Sequence, residues 1–195
     1  MILLVAVLAG AVCGVIRAKV NGRPYQAVEI IHVWLVLVSY LPQFFAFYFS
    51  ATRSIIPDQW VPYLLVISQI LLLIFIWINR KIPGGWLMGL GLLCNFLAIS
   101  LNGGLMPLAP ENAQKLLPSN STIILEIGKR IGFGKDILLE RSATKLWFLS
   151  DIFTLPTWMK FPLAFSPGDV LVSMGAFWLF WELGSPHRKQ QEISS

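Results

Sequence analysis

Hydrophobic residues along most of this chain do not alternate with polar ones. They run together, in five stretches at residues 2–16, 28–49, 61–79, 84–101 and 167–183. A half-buried strand would show period two, and a surface helix would carry a polar stripe. Runs apolar on every side predict helices with no water-facing side, and crossing a bilayer core of about 30 Å takes about 17–25 helical residues. The first and last runs are short, so their helices should stand upright or thin the bilayer locally. The expected fold is all-α: one polytopic membrane domain over 1–195 with five transmembrane helices, an outer segment at 102–166 and a cytoplasmic tail at 184–195.

Composition agrees with that pattern. Hydrophobic residues make up 56% of the chain, charged ones 13%, and the mean hydropathy is +0.69. Ordinary globular domains carry roughly 25% charged residues, so a water-facing surface could not be covered here. The net charge of +5 would suggest nucleic acid in a soluble protein, but its placement points elsewhere. Arg17, Lys19 and Arg23 follow the first run, Arg80 and Lys81 separate the third and fourth, and His187, Arg188 and Lys189 follow the fifth. Only Arg53, balanced by Asp58, lies between the second and third. The positive-inside rule then puts the N-terminus outside and the C-terminus in the cytoplasm. No basic region precedes the first run, which is therefore expected to be a retained helix and not a signal peptide. Trp60, Tyr63, Trp77, Trp86, Trp178 and Trp181 fall near the run ends, as in an interfacial aromatic belt.

Within the runs, Gly10 and Gly14, and again Gly85 and Gly89, stand four apart and allow helices to approach closely. Packing inside one bundle is the first expectation, a dimer face the alternative. Gln69 and Asn95 lie mid-run, where amides hydrogen-bond across helices. No run has a central Asp, Glu, Lys or Arg, which counts against a proton pump or ion channel. Glu29 and His32, three apart, would share a helix face. A lone helix histidine can ligate a pigment or haem, but an interfacial histidine satisfied by its surroundings is the plainer reading, and no cofactor or metal is expected. Cys13 and Cys94 show no metal or redox spacing and read as small buried residues. Pro42 should kink the second helix.

The fourth run stops at NGGLMP, where Asn102, Gly103 and Gly104 suit a helix terminus and Pro107 blocks continuation. Residues 102–166 are too many for a plain connection. Ile123, Ile124, Ile127 and Ile131 recur at helical spacing, and 135–141 suggests a second short turn. Amphipathic helices on the outer surface, or a lid, are expected. Asn120-Ser121-Thr122 matches a glycosylation acceptor. No GxGxxG, P-loop, HExxH or GxSxG pattern occurs, so no catalytic residue is assigned. Asn102, Arg141, Asp151 and Asp169 are the candidates to meet where helix ends join the outer segment and to hold a headgroup or polar substrate. Asp169 has a plainer role first. Ser166 suits an N-cap, Pro167 the first helical position and Asp169 the third, which makes a capping box.

Three stretches, NGGLMP at 102–107, TKLWFLSDIFTLP at 144–156 and FSPGDVL at 165–171, resemble in that order the domain of unknown function 5317 family of small bacterial multi-pass membrane proteins. The likeness runs from the first span through the Asp169 helix. It implies a bacterial plasma-membrane location and the five-span layout, and no activity. The expected function is that of a non-enzymatic accessory or structural subunit, with membrane lipids and other membrane subunits as partners and no nucleic acid. One alternative is a transporter or a lipid- or small-molecule-handling protein with a polar site at the outer face. Another is pigment or haem binding through His32.

Overall fold

The computed structural model describes residues 2–26, 28–47, 49, 56–117, 125–132, 134–155 and 163–184. Arg53, the 120–122 triplet, Ile123, Ile124 and the 187–189 basic tail lie outside these residues. Each apolar run yields a helix: α1 (Ile2–Val20), α2 (Trp34–Phe47), α3 (Val61–Ile78), α4 (Gly85–Leu101) and, after a short α5 (Pro110–Leu116), α6 (Pro167–Glu182). Two helical units, α1 and the continuous stretch 58–78, are long and apolar enough to cross a membrane. The helices α2 and α4 are apolar but shorter, and α6 has 16 residues.

The second helix starts later than its run. Asn79, the C-cap of α3, accepts from the Ile31 N–H at 2.9 Å and donates to the Ile31 carbonyl at 2.9 Å. That clamp pairs both polar groups of the Ile31 peptide, so neither is free for the first turn of a helix. His32 follows in the left-handed region at φ 56° and the helix begins at Trp34. Glu29 and His32 therefore do not share a helix face. Pro42 is accommodated inside α2.

The long helices are neighbours in the order α2, α3, α4, α6, α1, an open row and not a closed bundle. Glycine sets the close contacts around α6. A side chain at Gly10 would stand 2.7 Å from the Phe177 carbonyl oxygen, and Gly14 lies against Phe180. With Arg17 bonded to Glu182 further along, α1 and α6 run parallel. On the other flank Gly84 faces Gly175 and Gly91 faces Gly168, so α4 and α6 run antiparallel with backbones touching. Gly85 and Gly89, the spaced pair in α4, are not the contact. Gly85 packs on its own preceding turn and Gly89 has only an ordinary 3.5 Å neighbour in Ile76. Cys13 is exposed on α1 and Cys94 half-buried, where burial of both was expected.

The stretch 102–166 departs from the all-α expectation. Strand β1 (Met106–Leu108) pairs in parallel with β2 (Asp136–Leu138), and β3 (Phe153–Thr154) antiparallel with β4 (Ala164–Phe165). Residues 127–131 are not helical. Leu138 N donates to Lys129 O and Ile131 N to Asp136 O, which makes them a hairpin arm against β2. Gly128 and Gly132 at φ 82° and 55° bend the chain out of helical geometry, so isoleucine spacing does not decide the matter. Leu108, Ala113, Leu138 and Ala164 close a small core in this lobe. A second core of Val61, Leu65, Ala98, Ile99, Leu105 and Met106 joins the lobe to α3 and α4.

Gly175→Ala should lower the thermal midpoint in mild detergent, because the new methyl meets Met88 Cγ at 2.6 Å and the Gly84 carbonyl oxygen at 2.7 Å; overpacking of this kind costs about 1–3 kcal/mol. Gly89→Ala, whose new methyl meets only an ordinary 3.5 Å contact with Ile76 Cγ2, should leave the midpoint within about 0.5 kcal/mol of the parent. Equal losses in the two variants would refute the assignment of the helix contacts.

Candidate functional site

The helix α6 begins where the lobe meets α4. Ser166 Oγ accepts from Asp169 N at 3.0 Å, and Ser166 N donates to Asp169 Oδ2 at 3.2 Å, completing the capping box. The same two side chains reach across to α4. Asn95 Nδ2 donates to Asp169 Oδ1 at 2.8 Å, and Ser166 Oγ donates to Asn95 Oδ1 at 2.7 Å. Asn95 and Ser166 are buried, and the amide oxygen lies so close to Gly168 that no side chain fits there. One amide, one hydroxyl and one carboxylate thus satisfy each other between two helices.

Beside this knot the lobe places a charge cluster. Lys135 Nζ lies 2.6 Å from Asp151 Oδ2 and 3.4 Å from Asp136 Oδ1. Asp151 is 1% exposed, held by its N–H to the Pro107 carbonyl at 3.2 Å, while Asn112 donates to the carbonyls of Asp151 and Ile152. Its second oxygen, Oδ1, has no hydrogen-bond partner among the described residues. Three carboxylates, Asp136, Asp151 and Asp169, act on one ammonium. Burial, with the charges of Asp136 and Asp169 added to it and Lys135 opposing, pushes the Asp151 carboxyl up to about 7. Burial works against the Lys135 charge too, yet the surrounding carboxylates outweigh it and raise that ammonium above its ordinary value. The arrangement can hold a proton near neutral pH. Among the described residues no three acidic, histidine or cysteine side chains converge as metal ligands.

Of the four candidates, the structure brings Asp151 and Asp169 into one electrostatic cluster and leaves the other two elsewhere. Asn102, C-cap of α4, clamps the Lys145 peptide by donating to its carbonyl and accepting from its N–H, both at 2.9 Å. Arg141 lies 3.3 Å above the Trp147 ring. His32 is exposed, and its Nδ1 accepts from Trp34 Nε1 at 3.3 Å. Gln69 is buried in α3, but its Oε1 finds no partner among the described residues, so it does not bridge helices as expected. Lys135 and Ser166 complete the site, and nothing along the chain marks Lys135, since its partner is sixteen positions away. Asn79 was legible only as an asparagine closing an apolar run, the same mark that Asn102 carries.

Replacing Asn95 by alanine leaves the Ser166 hydroxyl and the Asp169 carboxylate each short of a partner. A loss of about 1–3 kcal/mol in detergent unfolding is expected, and an unchanged midpoint would show the knot to be idle. The Asp151 carboxyl, near 4 in an unfolded chain and about 7 here, binds its proton more tightly when folded. Stability from this group is therefore complete below pH 4 and lost as pH rises through 7, by about 1.4 kcal/mol per pH unit at most. Asp151→Asn should flatten the dependence between pH 5 and 8, and a slope unaltered by the substitution would assign it to another group.

The chain matches no curated protein and no solved structure. The sequence profile of a family of unknown function, DUF5317, matches residues 27–181, which contain the knot, the charge cluster and both asparagine clamps. Reaching over most of the chain and every element of the site, that match makes this protein a member of the DUF5317 family.

Proposed function

We propose that the protein is a bacterial plasma-membrane protein whose five long helices cross the bilayer in alternating directions, and that it works as a non-enzymatic accessory subunit in a larger membrane complex. The open row of helices carries this reading. With α1 flanked mainly by α6 and α2 mainly by α3, both end helices expose large apolar side chains such as Leu4 at 62%, Val5 at 63% and Leu37 at 59%. Side chains of that kind need lipid or a second protein around them.

Directions and charges support the same layout. Parallel α1 and α6, with antiparallel α4 between α6 and α3, fit a chain that crosses five times. Arg17 meets Glu182, Tyr25 bonds the Phe180 carbonyl and Asn79 bonds Ile31, so the basic residues Arg17, Arg23, Arg80 and Lys81 share one end. The lobe occupies the other. On the positive-inside rule the lobe and N-terminus then face outward.

Purification in mild detergent should bring down a stoichiometric membrane partner; a chain that elutes alone from cells at native expression argues against an accessory role. In a Cys13→Ala, Cys94→Ala background, Lys145→Cys should react with an impermeant thiol reagent on intact cells, and Lys81→Cys only after permeabilisation. Labelling of both from one side would end the layout. A second reading, a transporter or lipid-handling protein with a polar site at the outer face, is favoured by the unpartnered oxygen of buried Asp151. Vesicles that take up no more of any cationic solute with the protein than without it would remove that reading.

A further inference from the structure

Two apolar grooves run along the helix row, one of about 560 Å3 between α1 and α6 and one of about 510 Å3 between α3 and α4. Both fall within the range of about 300–1,000 Å3 typical of ligand sites. They differ at the end where basic residues gather. Beside the α1/α6 groove, Arg17 lies over the Trp181 ring at 5.2 Å and is ion-paired with Glu182 at 3.4 Å. That cation is already neutralised.

The α3/α4 groove ends differently. Its floor opens at Gly89, where the nearest atom to an added side chain is Ile76 Cγ2 at 3.5 Å, and Ile70, Ile74 and Leu93 are among its walls. At its mouth Trp77 and Trp86 meet edge to face at 6.1 Å, and the Arg80 guanidinium lies 4.8 Å over Trp77. Arg80 Nη1 donates to the Trp77 carbonyl at 3.0 Å, and no carboxylate among the described residues pairs with the rest of the guanidinium. Lys81 follows immediately. An apolar slot thus terminates in an uncompensated cation with free N–H donors, set on an aromatic rim.

We propose that the α3/α4 groove binds an anionic phospholipid, with one acyl chain along Gly89 and the phosphate on Arg80. Burial of the chain supplies affinity without discrimination among lipids. Arg80 can hold the phosphate of either lipid through its N–H donors; discrimination comes from its uncompensated positive charge. A zwitterionic lipid fills the slot equally well but brings its own ammonium to an already cationic end. Basic residues near a bilayer surface favour anionic lipid by about 1 kcal/mol each, or about fivefold. The α1/α6 groove, with Arg17 occupied by Glu182, should not discriminate.

The inference rests on the membrane reading above, and the two can fail separately. If alkaline carbonate releases the protein from membranes, the membrane reading falls and takes this site with it. For protein that stays embedded, native mass spectrometry of the full chain with phosphatidylglycerol and phosphatidylcholine of identical chains decides. The expected result is about fivefold higher occupancy by phosphatidylglycerol, lost in Arg80→Gln and retained in Arg80→Lys, with Gly89→Leu lowering occupancy by both lipids. Equal occupancy in the parent, or a preference that survives Arg80→Gln, overturns the proposal. Arg80→Gln changes a partly exposed side chain at the mouth of the groove and leaves the helix contact at Gly89 intact, so it remains informative should Gly89→Leu fail to fold.

Discussion

The three-way contact of Asn95 with Ser166 and Asp169 constrains more of this molecule than any other. A buried amide satisfied on one side by a carboxylate and on the other by a hydroxyl holds the start of α6 at a single register on α4. At that register Gly168 is the only residue that leaves room for the amide, and Gly91, Gly84 and Gly175 fall where the two backbones meet. Once α6 is placed, its far flank receives Gly10 and Gly14 of α1. The same carboxylate caps α6, and its charge bears on Lys135 and Asp151. Helix start, helix packing and the electrostatics of the lobe are thus one arrangement.

Two asparagines that close α3 and α4 fasten distant loops by a common device. Asn79 and Asn102 each close a helix, each donates to the carbonyl four residues back, and each clamps both polar groups of a distant peptide. A loop held in this way needs no side-chain partner of its own, which explains how Ile31 and Lys145 are positioned by backbone alone. The lobe also holds the ion pair between buried Asp151 and partly exposed Lys135.

Much of this was legible from local pattern. Continuous apolar runs required helices at five places, and Ser166, Pro167 and Asp169 announced the start of the last one, because capping involves only residues within one turn of each other. The end of α4 at Asn102 was equally local. Asn95 was readable as an amide with a partner across helices, though not which partner.

What the sequence determined by itself was the five long helices and the ends at Asn102 and Ser166, since burial of apolar side chains and the needs of terminal N–H and C=O groups are settled by near neighbours. Only the tertiary structure decided that 127–131 is a hairpin arm, that His32 lies before its helix, that Gly84 and Gly91 and not Gly85 and Gly89 make the contact, and that Lys135 meets Asp151. Each of these depends on which distant segment supplies the second half of a hydrogen bond, a charge pair or a close approach. Spacing along the chain carries no information about that choice.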